Sequence, residues 1–452
     1  MIILDKKAIS PQDLEWYEKS YEDKDDSLVL ERAVSHNGIN NSAADYKADE
    51  KMKRVFSVEV PEQHVADQKQ SGRCWMFSAL NTMRFKIAEN YKISPKFELS
   101  QNYVNFWDKF EKSNYFLENV IKTADQPLGS RKIDFLMETP QQDGGQWDML
   151  CAIIEKYGVV PSSTMVETYN SNRSDELNQT LNLKLRRDAE VLRKMVKDGS
   201  TEEKLESTKS DMLNDVYRIL AYSLGRPTKR FDFEYRDTDN KYHMDKDLTP
   251  KEFFDKYVNI NLEDYVSLIN SPTDDKPFNE TYTIEMLGNV VGGRQVKHLN
   301  LPIDELKDLA IKQLKNGEAV WFGCDVVQDS DRKKGIMDTH LYHKDALFST
   351  DLKMSKGARL DYKESMMTHA MVITGVDLVD DQPTKWKVEN SWGEKVGDKG
   401  YFVMSDDWFN EFVYQTVINK KYMSDKQLEE QKQAPKMLEP WDPMGSLASF
   451  KK

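Results

Sequence analysis

The C-terminal third of this 452-residue chain contains four short apolar runs that are typical of buried β-strands. They are bounded by glycine or alternate in polarity, and they span residues 319–324, 370–375, 386–390 and 400–404. Runs of this kind predict strands packed in a core. We therefore expect the C-terminal third to be β-rich.

The segment from Arg73 to Ile87 has a different periodicity. Its apolar positions recur at helical spacing, and Ser71 and Gly72 directly upstream are a suitable start signal for a helix. The pattern predicts a helix with Cys74 in its first turn.

Composition excludes several classes of protein. Hydrophobic residues make up 39% of the chain and charged residues 31%, with 20 Gly and 15 Pro, so the chain is neither collagen-like nor of low complexity. The 64 Lys and Arg against 77 Asp and Glu leave a net charge of −13, which argues against nucleic acid as a partner. No run approaches the roughly 18 apolar residues of a membrane span, so no membrane association is expected.

The N-terminus and the cysteine count predict a cytoplasmic protein. Asp5, Lys6 and Lys7 interrupt the N-terminal sequence before it reaches the length of about 7 to 15 apolar residues found in secretory signals. The three cysteines are too few for a disulfide framework. We expect all three to be free thiols.

The pattern along the chain suggests five segments. Residues 1–50 are acidic and polar and are interpreted as an N-terminal arm, and residues 51–171 as a helical lobe. Residues 172–270 contain two charged amphipathic patterns and a hairpin, which predict a mostly helical insertion. Residues 271–423 form the predicted β-rich lobe. Residues 424–452 are polar and then proline-punctuated, which favours an extended C-terminal arm.

Cys74 is the cysteine with the setting of a nucleophile. A thiol at a helix N-terminus lies next to the positive end of the helix dipole, which favours the thiolate. Cys151 and Cys324 lie inside apolar segments and are interpreted as core packing.

A nucleophilic thiol also needs a base and a group that orients that base. His369 directly precedes a predicted strand and Asn390 ends the next one, so both side chains would be held rigidly. His340 and His343 are three positions apart, but no further ligand completes a metal site, and we interpret them as part of a surface loop.

Three motifs resemble those of papain-type cysteine proteases, in the same order. Residues 68–78 (QKQSGRCWMFS) resemble the cysteine signature and residues 368–373 (THAMVI) the histidine motif. Residues 389–393 (ENSWG) with 397–402 (GDKGYF) resemble the asparagine motif. Agreement over all three in order is a specific signal.

Further motifs are similar to the bleomycin hydrolase and aminopeptidase C branch of that family, and the resemblance covers nearly the whole chain. They are residues 68–75, 139–148, 290–294 and 441–445. Secreted papain relatives carry a disulfide cysteine three positions before the nucleophile, where this chain has Ser71. That difference is in keeping with a reducing cytoplasm.

The resemblance implies a role for each site residue. Cys74 would be the nucleophile, His369 the general base and then acid, and Asn390 the side chain that orients the imidazole. Gln68 would donate its amide N–H to the oxyanion. The implied fold is the papain-like two-lobed α+β fold, with Cys74 on the helical lobe and the other two on the β-rich lobe. No metal or organic cofactor is expected.

The resemblance also suggests residues that contact substrate. Trp392 would shield the His369–Asn390 hydrogen bond, and Gly144 with Gly145 would present an open backbone edge; the alternatives are plain packing and a tight turn. In this family the C-terminal arm enters the cleft, and its carboxylate pairs with the substrate's α-ammonium group. Ala448 would then lie beside the substrate, although this chain continues with a basic ending.

The implied function is a cytoplasmic cysteine aminopeptidase that acts on peptides by thiolate acyl transfer. Two alternatives stay open: a cysteine endopeptidase, if the tail does not block the cleft, and a catalytically idle scaffold or binding protein. The resemblance further implies a homo-hexamer whose contacts come from the helical insertion and the terminal arms.

Overall fold

A computed structural model describes residues 8–445 of the chain. Its first part is helical. Ser10 accepts a hydrogen bond from the backbone of Asp13 and Pro11 takes the first helical position, so the first helix begins with a capping box. The helices of this part are α1 Pro11–Glu22, α2 Ser27–Asn37, α3 Ile39–Ala43 and α4 Ala48–Lys51.

The next part of the chain contains the long helices. Its elements are β1 Val58–Glu59, α5 Cys74–Tyr91, α6 Gln101–Lys122, α7 Arg131–Glu138, α8 Trp147–Tyr157, α9 Tyr169–Asn172, α10 Asp175–Lys197 and α11 Glu202–Leu224. Helix α5 confirms the helix expected at Cys74. The expected helix pair is α10 and α11, and Gly199 between them has a φ of +75°, which glycine adopts without strain.

The predicted hairpin and sheet follow. The elements are β2 Phe231–Arg236, β3 Tyr242–Leu248, α12 Pro250–Phe253, β4 Tyr265–Ile269, β5 Glu280–Ile284, β6 His298–Asn300, α13 Ile303–Lys315, β7 Val320–Cys324, β8 Ser330–Asp331, β9 Ile336–Met337, α14 Lys344–Phe348, α15 Lys356–Asp361, β10 His369–Val379, β11 Gln382–Glu389, β12 Tyr401–Ser405, α16 Asp406–Phe412, β13 Val413–Asn419, α17 Asp425–Lys432 and β14 Lys436–Leu438. The four expected strands are β7, β10, β11 and β12. Helices and sheet together confirm the α+β fold class.

One large sheet positions two of the candidate site residues. Within residues 8–445 its strand order is β14-β5-β6-β4-β13-β7-β10-β11-β12-β9-β8, and β1 pairs with β10. Strand β10 is antiparallel to both β7 and β11. His369 begins β10 opposite Cys324, and Glu389 ends β11 directly before Asn390. The antiparallel register therefore places His369 and Asn390 at the same end of the sheet.

The chain divides into two compact units. Of the described residues, one unit combines residues 8–51 with Thr339–Met354, and the other contains Met52–Asp338 and residues 355–445. The sequence did not indicate that residues 339–354 group with the N-terminal helices. The predicted helical lobe, insertion and most of the β-rich lobe share the second unit, and their division stays a prediction.

The predicted extended C-terminal arm is wrong for the residues up to Gly445. The Ser424 side chain accepts from the backbone of Gln427 and starts helix α17, and β14 pairs in parallel with β5. A capping box is enough to begin a helix here, because the prolines of the tail come after the helix ends. In the described part of the chain, no helix is long and apolar enough to cross a bilayer.

A buried ion pair joins α5 to β11. The Arg84 guanidinium donates to Glu389 Oε1 at 2.9 Å, Asn81 Nδ2 donates to the same oxygen at 2.8 Å, and both charged side chains are buried. Burial raises the pKa of Glu389 to about 7, against the opposing effect of the Arg84 charge. The pair connects the helix that carries Cys74 to the strand that leads into Asn390.

We predict that Glu389→Gln lowers the free energy of unfolding by about 3–5 kcal/mol, because arginine stays charged and Arg84 would be left buried without its anion. Urea unfolding measures this change. The matched control is Asp239→Asn, which breaks the exposed pair between Lys92 and Asp239 at 2.9 Å and should cost less than about 1 kcal/mol. Equal, small losses in the two variants would contradict the prediction.

Candidate active site

Cys74 is the first residue of α5 and its side chain is fully buried. The backbone N–H groups of Ala370, Trp75 and Cys74 itself lie near the sulfur and lower the pKa of the thiol. Ser78, one turn along the helix, donates to the Ala370 carbonyl at 2.9 Å. Since Ala370 directly follows His369, the N-terminus of α5 lies against the start of β10. The structure therefore brings Cys74 and His369 into one site.

The His369 ring is oriented by Asn390. The ring Nε2 lies 2.9 Å from Asn390 Oδ1, and that oxygen also accepts from the Ser391 backbone N–H at 2.7 Å. Because an amide oxygen only accepts, Nε2 carries the ring proton and Nδ1 is the acceptor of the neutral imidazole. The Nδ1 edge is thus the one that can take a proton.

Trp392 covers a face of the same imidazole. The two ring centroids are 4.8 Å apart and the planes are inclined by 30°. The Arg332 guanidinium lies over the Trp392 ring at 4.9 Å, and the Phe402 ring contacts Trp392 edge-on at 5.8 Å. These contacts place Trp392 where a shield for the hydrogen bond would have to be.

Burial opposes charge on both reacting groups. It raises the pKa of the Cys74 thiol to about 12, although three backbone N–H groups act against it. It lowers the pKa of His369 to about 4, with Asn390 opposing and the Arg332 charge adding to the effect. The backbone N–H groups at the start of α5 lower the pKa of the thiol, in the direction expected at a helix N-terminus, but desolvation outweighs them. Charge arises by proton transfer within the pair, where thiolate and imidazolium compensate each other.

Gln68 connects the loop before Cys74 to the loop after Asn390. Its Nε2 donates to the Ser71 carbonyl at 2.6 Å, and its Oε1 accepts from the Ser391 hydroxyl at 2.6 Å. A side-chain amide has two N–H donors, so the N–H not directed at Ser71 is the one that an oxyanion would use.

Gly144 and Gly145 are buried, and their surroundings differ from the expected open edge. The Gly144 carbonyl accepts a hydrogen bond from Lys112 Nζ at 2.6 Å, so this part of the expectation is wrong. A Cβ atom at Gly145 would lie 2.5 Å from the Trp75 ring, which explains why glycine is needed there. Their role in substrate binding stays a prediction.

Asp143 is a structural residue of the site that the sequence reasoning missed. Its carboxylate accepts from the Gly72 backbone at 2.7 Å and from Lys109 Nζ at 2.8 Å, and its carbonyl accepts from Trp75 Nε1 at 2.8 Å. Burial raises the pKa of Asp143, but the Lys109 charge and the hydrogen bonds lower it by more, so the pKa lies below its usual range. Asp143 therefore braces both sides of Cys74. Its place in the 139–148 motif was the available signal.

A second missed carboxylate lies behind His369. Asp325 is buried and accepts from the Thr368 hydroxyl at 3.1 Å and from the Ser365 hydroxyl at 2.8 Å. Thr368 directly precedes His369, so these hydrogen bonds fix the backbone next to His369. Only its position after the buried strand β7 could have pointed to it.

The described tail ends beside the helical side of the site. The Gly445 carbonyl accepts a hydrogen bond from Gln146 Nε2, and Met444 is fully buried. Gln146 follows Gly145, which contacts the Trp75 ring directly after Cys74. Ala448 and the basic ending lie outside the described residues.

Metal ligation finds no support in the described residues. Within residues 8–445, no group of three or more His, Cys, Asp or Glu side chains is arranged to hold a metal ion. His340 and His343 belong to the unit that contains the N-terminal helices.

Known proteins are similar to this chain over nearly its whole length. The model of the peptidase C1-like family matches residues 8–445. The chain belongs to this family. It is 59% identical over 423 residues to aminopeptidase C of Lactobacillus helveticus, covering 93% of this chain and 94% of that one. It is 50% identical over 438 residues to aminopeptidase C of Listeria monocytogenes, with 97% and 98% covered.

A solved structure agrees with the sequence matches. The crystal structure of pepw from Lactobacillus rhamnosis has a TM-score of 0.96 and 60% identity to this chain, with 97% of this chain and 99% of that one covered. The resemblance to the papain-like aminopeptidase C and bleomycin hydrolase branch is confirmed. The chain is thus an enzyme of the cysteine peptidase class.

We predict that kcat/KM falls as the pH drops through about 4, instead of through the ordinary histidine value of 6.5. Below its pKa the imidazole is protonated and cannot accept the thiol proton. Trp392→Leu should move this acid limb upward, because water would reach His369 and its desolvation would decrease. Initial rates on an aminoacyl amide between pH 3 and 9 measure the acid limb of the unchanged protein and that of Trp392→Leu.

The control is Phe402→Leu, which removes a ring that contacts Trp392 but does not stack on the imidazole. Its acid limb should stay in place. A limb at pH 6.5 in the unchanged protein would contradict the prediction.

Proposed function

We propose that the protein is a cysteine aminopeptidase that removes N-terminal residues from peptides by thiolate acyl transfer. The observation that carries the proposal is the oriented imidazole: His369 Nε2 is hydrogen-bonded to Asn390, and the first turns of the helix that begins with Cys74 are bound through Ser78 to Ala370, the next residue of the same strand. A nucleophile, a base and a group that orients the base are the parts that covalent catalysis needs.

The proposed reaction begins with proton transfer from Cys74 to His369 Nδ1. The thiolate attacks the peptide carbonyl, and the oxyanion accepts hydrogen bonds from Gln68 and from the Cys74 backbone N–H. The imidazolium then protonates the leaving amine. Water, deprotonated by His369, hydrolyses the thioester and restores the thiol.

The C-terminal tail supports cleavage at the N-terminal residue. Gly445 is fixed to Gln146 near the N-terminus of α5, and three further residues to Ala448 reach about 10 Å at most. A terminal carboxylate placed in the cleft would pair with the substrate's α-ammonium group and block longer N-terminal extensions. The curated relatives named aminopeptidase C agree with this choice over the endopeptidase.

The test compares a free-amine peptide with its N-acetylated twin. We expect the full chain to cleave the free-amine peptide about 100-fold faster in kcat/KM, because acetylation removes the charge that the tail carboxylate would pair with. Chains ending at Ala448 and at Gly445 form a matched pair. The first should keep the preference and the second should lose it.

Cys74→Ala supplies the baseline of this experiment and should cleave neither peptide. Faster cleavage of the acetylated peptide by the full chain would favour the endopeptidase. Cleavage that survives in Cys74→Ala would contradict the mechanism, and no cleavage by the unchanged protein would favour the scaffold alternative.

We further propose a cytoplasmic location and a hexameric assembly. All three cysteines are free thiols, as a reducing compartment would keep them. Large apolar side chains are exposed on α1 and α2, which is typical of surfaces that another chain covers. They are Leu14, Trp16, Tyr17, Tyr21, Leu28 and Val29, exposed by 42–66%.

Sedimentation velocity tests the assembly. We expect the unchanged protein to sediment as six chains, and Trp16→Ser combined with Leu28→Ser to sediment as smaller species, because the apolar contact is lost. Tyr362→Ser, which removes an 80% exposed side chain outside the insertion and the arms, is the control for α1 and α2. A monomer in the unchanged protein would contradict the proposal.

A further inference from the structure

The turn between β8 and β9 carries an arginine that forms no ion pair with an acidic side chain of residues 8–445. Arg332 is exposed, and its guanidinium lies over the Trp392 ring at 4.9 Å. The neighbouring carboxylate of Asp331 accepts from the Lys334 backbone N–H at 3.0 Å. An exposed guanidinium held on an aromatic ring without an anion is suited to bind one.

The turn that carries Arg332 is fixed to the loop after Trp392. The Lys333 carbonyl accepts from the Gly397 backbone N–H at 3.2 Å. A Cβ atom at Gly335 would lie 2.7 Å from the Gly397 Cα, so the two segments approach as closely as glycines allow. Arg54 donates to the Lys334 carbonyl at 2.6 Å. The guanidinium therefore projects from an anchored backbone.

The position of Trp392 tells which part of a substrate Arg332 would meet. In the proposed function, on which this inference rests, His369 protonates the leaving amine, so that nitrogen must come within hydrogen-bond reach of the imidazole. Trp392 lies on the imidazole and Arg332 lies on Trp392. The guanidinium is therefore at most about 10 Å from the imidazole. One residue of about 3.5 Å with a hydrogen bond of about 3 Å at each end covers that distance, so groups attached to the leaving amine can reach the guanidinium.

We infer that Arg332 is a specificity-determining residue that binds a carboxylate on the leaving side of the scissile bond. The carboxylate has two sources with the same chemistry: an Asp or Glu side chain in the second substrate residue, or the free C-terminus of a dipeptide. Arginine binds carboxylates through paired N–H donors, and the contact with the Trp392 ring at 4.9 Å holds the guanidinium beside the imidazole.

The experiment measures release of free leucine from two pairs of peptides. Leu-Asp-amide against Leu-Asn-amide tests the side-chain carboxylate, and Leu-Ala against Leu-Ala-amide tests the C-terminal one. We expect the unchanged protein to prefer the charged member of at least one pair by about 5-fold in kcat/KM, a modest ratio because the site is exposed to water. The preference should shrink as the salt concentration rises.

Variants separate the Arg332 charge from its packing. Arg332→Gln should abolish the preference, and Arg332→Lys should keep only part of it, because the positive charge remains but the paired N–H donors are lost. Lys333→Gln, at an exposed neighbour with no recorded contact to Trp392, should keep the full preference. Because each preference is a ratio within one variant, a general change in activity cancels.

Two results would overturn the inference. One is a ratio near 1 for both pairs in the unchanged protein while the neutral amides are cleaved, which leaves the proposed function intact. The other is an unchanged preference in Arg332→Gln. Failure to cleave any of the four peptides would instead contradict the proposed function, and this inference with it.

Discussion

Burial of the Cys74 thiol and the His369 imidazole in one site is the constraint on which the chemistry of this protein depends. Each group alone is held in its neutral form, since burial moves the pKa of the thiol up and that of the imidazole down. The attraction between thiolate and imidazolium offsets the free-energy cost of their desolvation only when both charges form together. The site therefore needs precise placement of both groups more than it needs an acidic thiol.

That placement comes from contacts between α5 and the sheet. Ser78 binds the carbonyl of Ala370, and Arg84 binds Glu389 one residue before Asn390. These contacts recur along α5, so the helix that begins with Cys74 is fixed to β10 near its start and to β11 further along. Because interiors are close-packed, a shift of α5 would have to break several of them at once.

The sequence predicted the local elements well and the long-range contacts poorly. The helix at Cys74, the strands of the C-terminal third and the pair α10 and α11 follow from periodicity, which is a local property. The partnership of Lys109 with Asp143 joins residues 34 positions apart, and nothing in either segment indicates the other. The grouping of residues 339–354 with the N-terminal helices is missed for the same reason.

The same difference between local patterns and long-range contacts applies to the candidate site. Cys74, His369 and Asn390 were found because their motifs are specific, and the structure brings them together. Gly144 was misread because the sequence does not reveal that a lysine binds its carbonyl. The tail was misread because prolines suggested an extended chain, while Ser424 and Gln427 form a capping box before the first of them.

The two charged groups proposed for substrate recognition lie on opposite sides of the scissile bond. A tail carboxylate would pair with the α-ammonium group ahead of the bond, and Arg332 with a carboxylate behind it. A dipeptide carries both charges at a fixed separation, so it satisfies both groups at once, whereas in longer peptides the terminal carboxylate lies further away. The two proposals together imply that the cleft selects short zwitterionic peptides. Peptides of different length share the same repeating backbone, so the distance between their terminal charges is what distinguishes them.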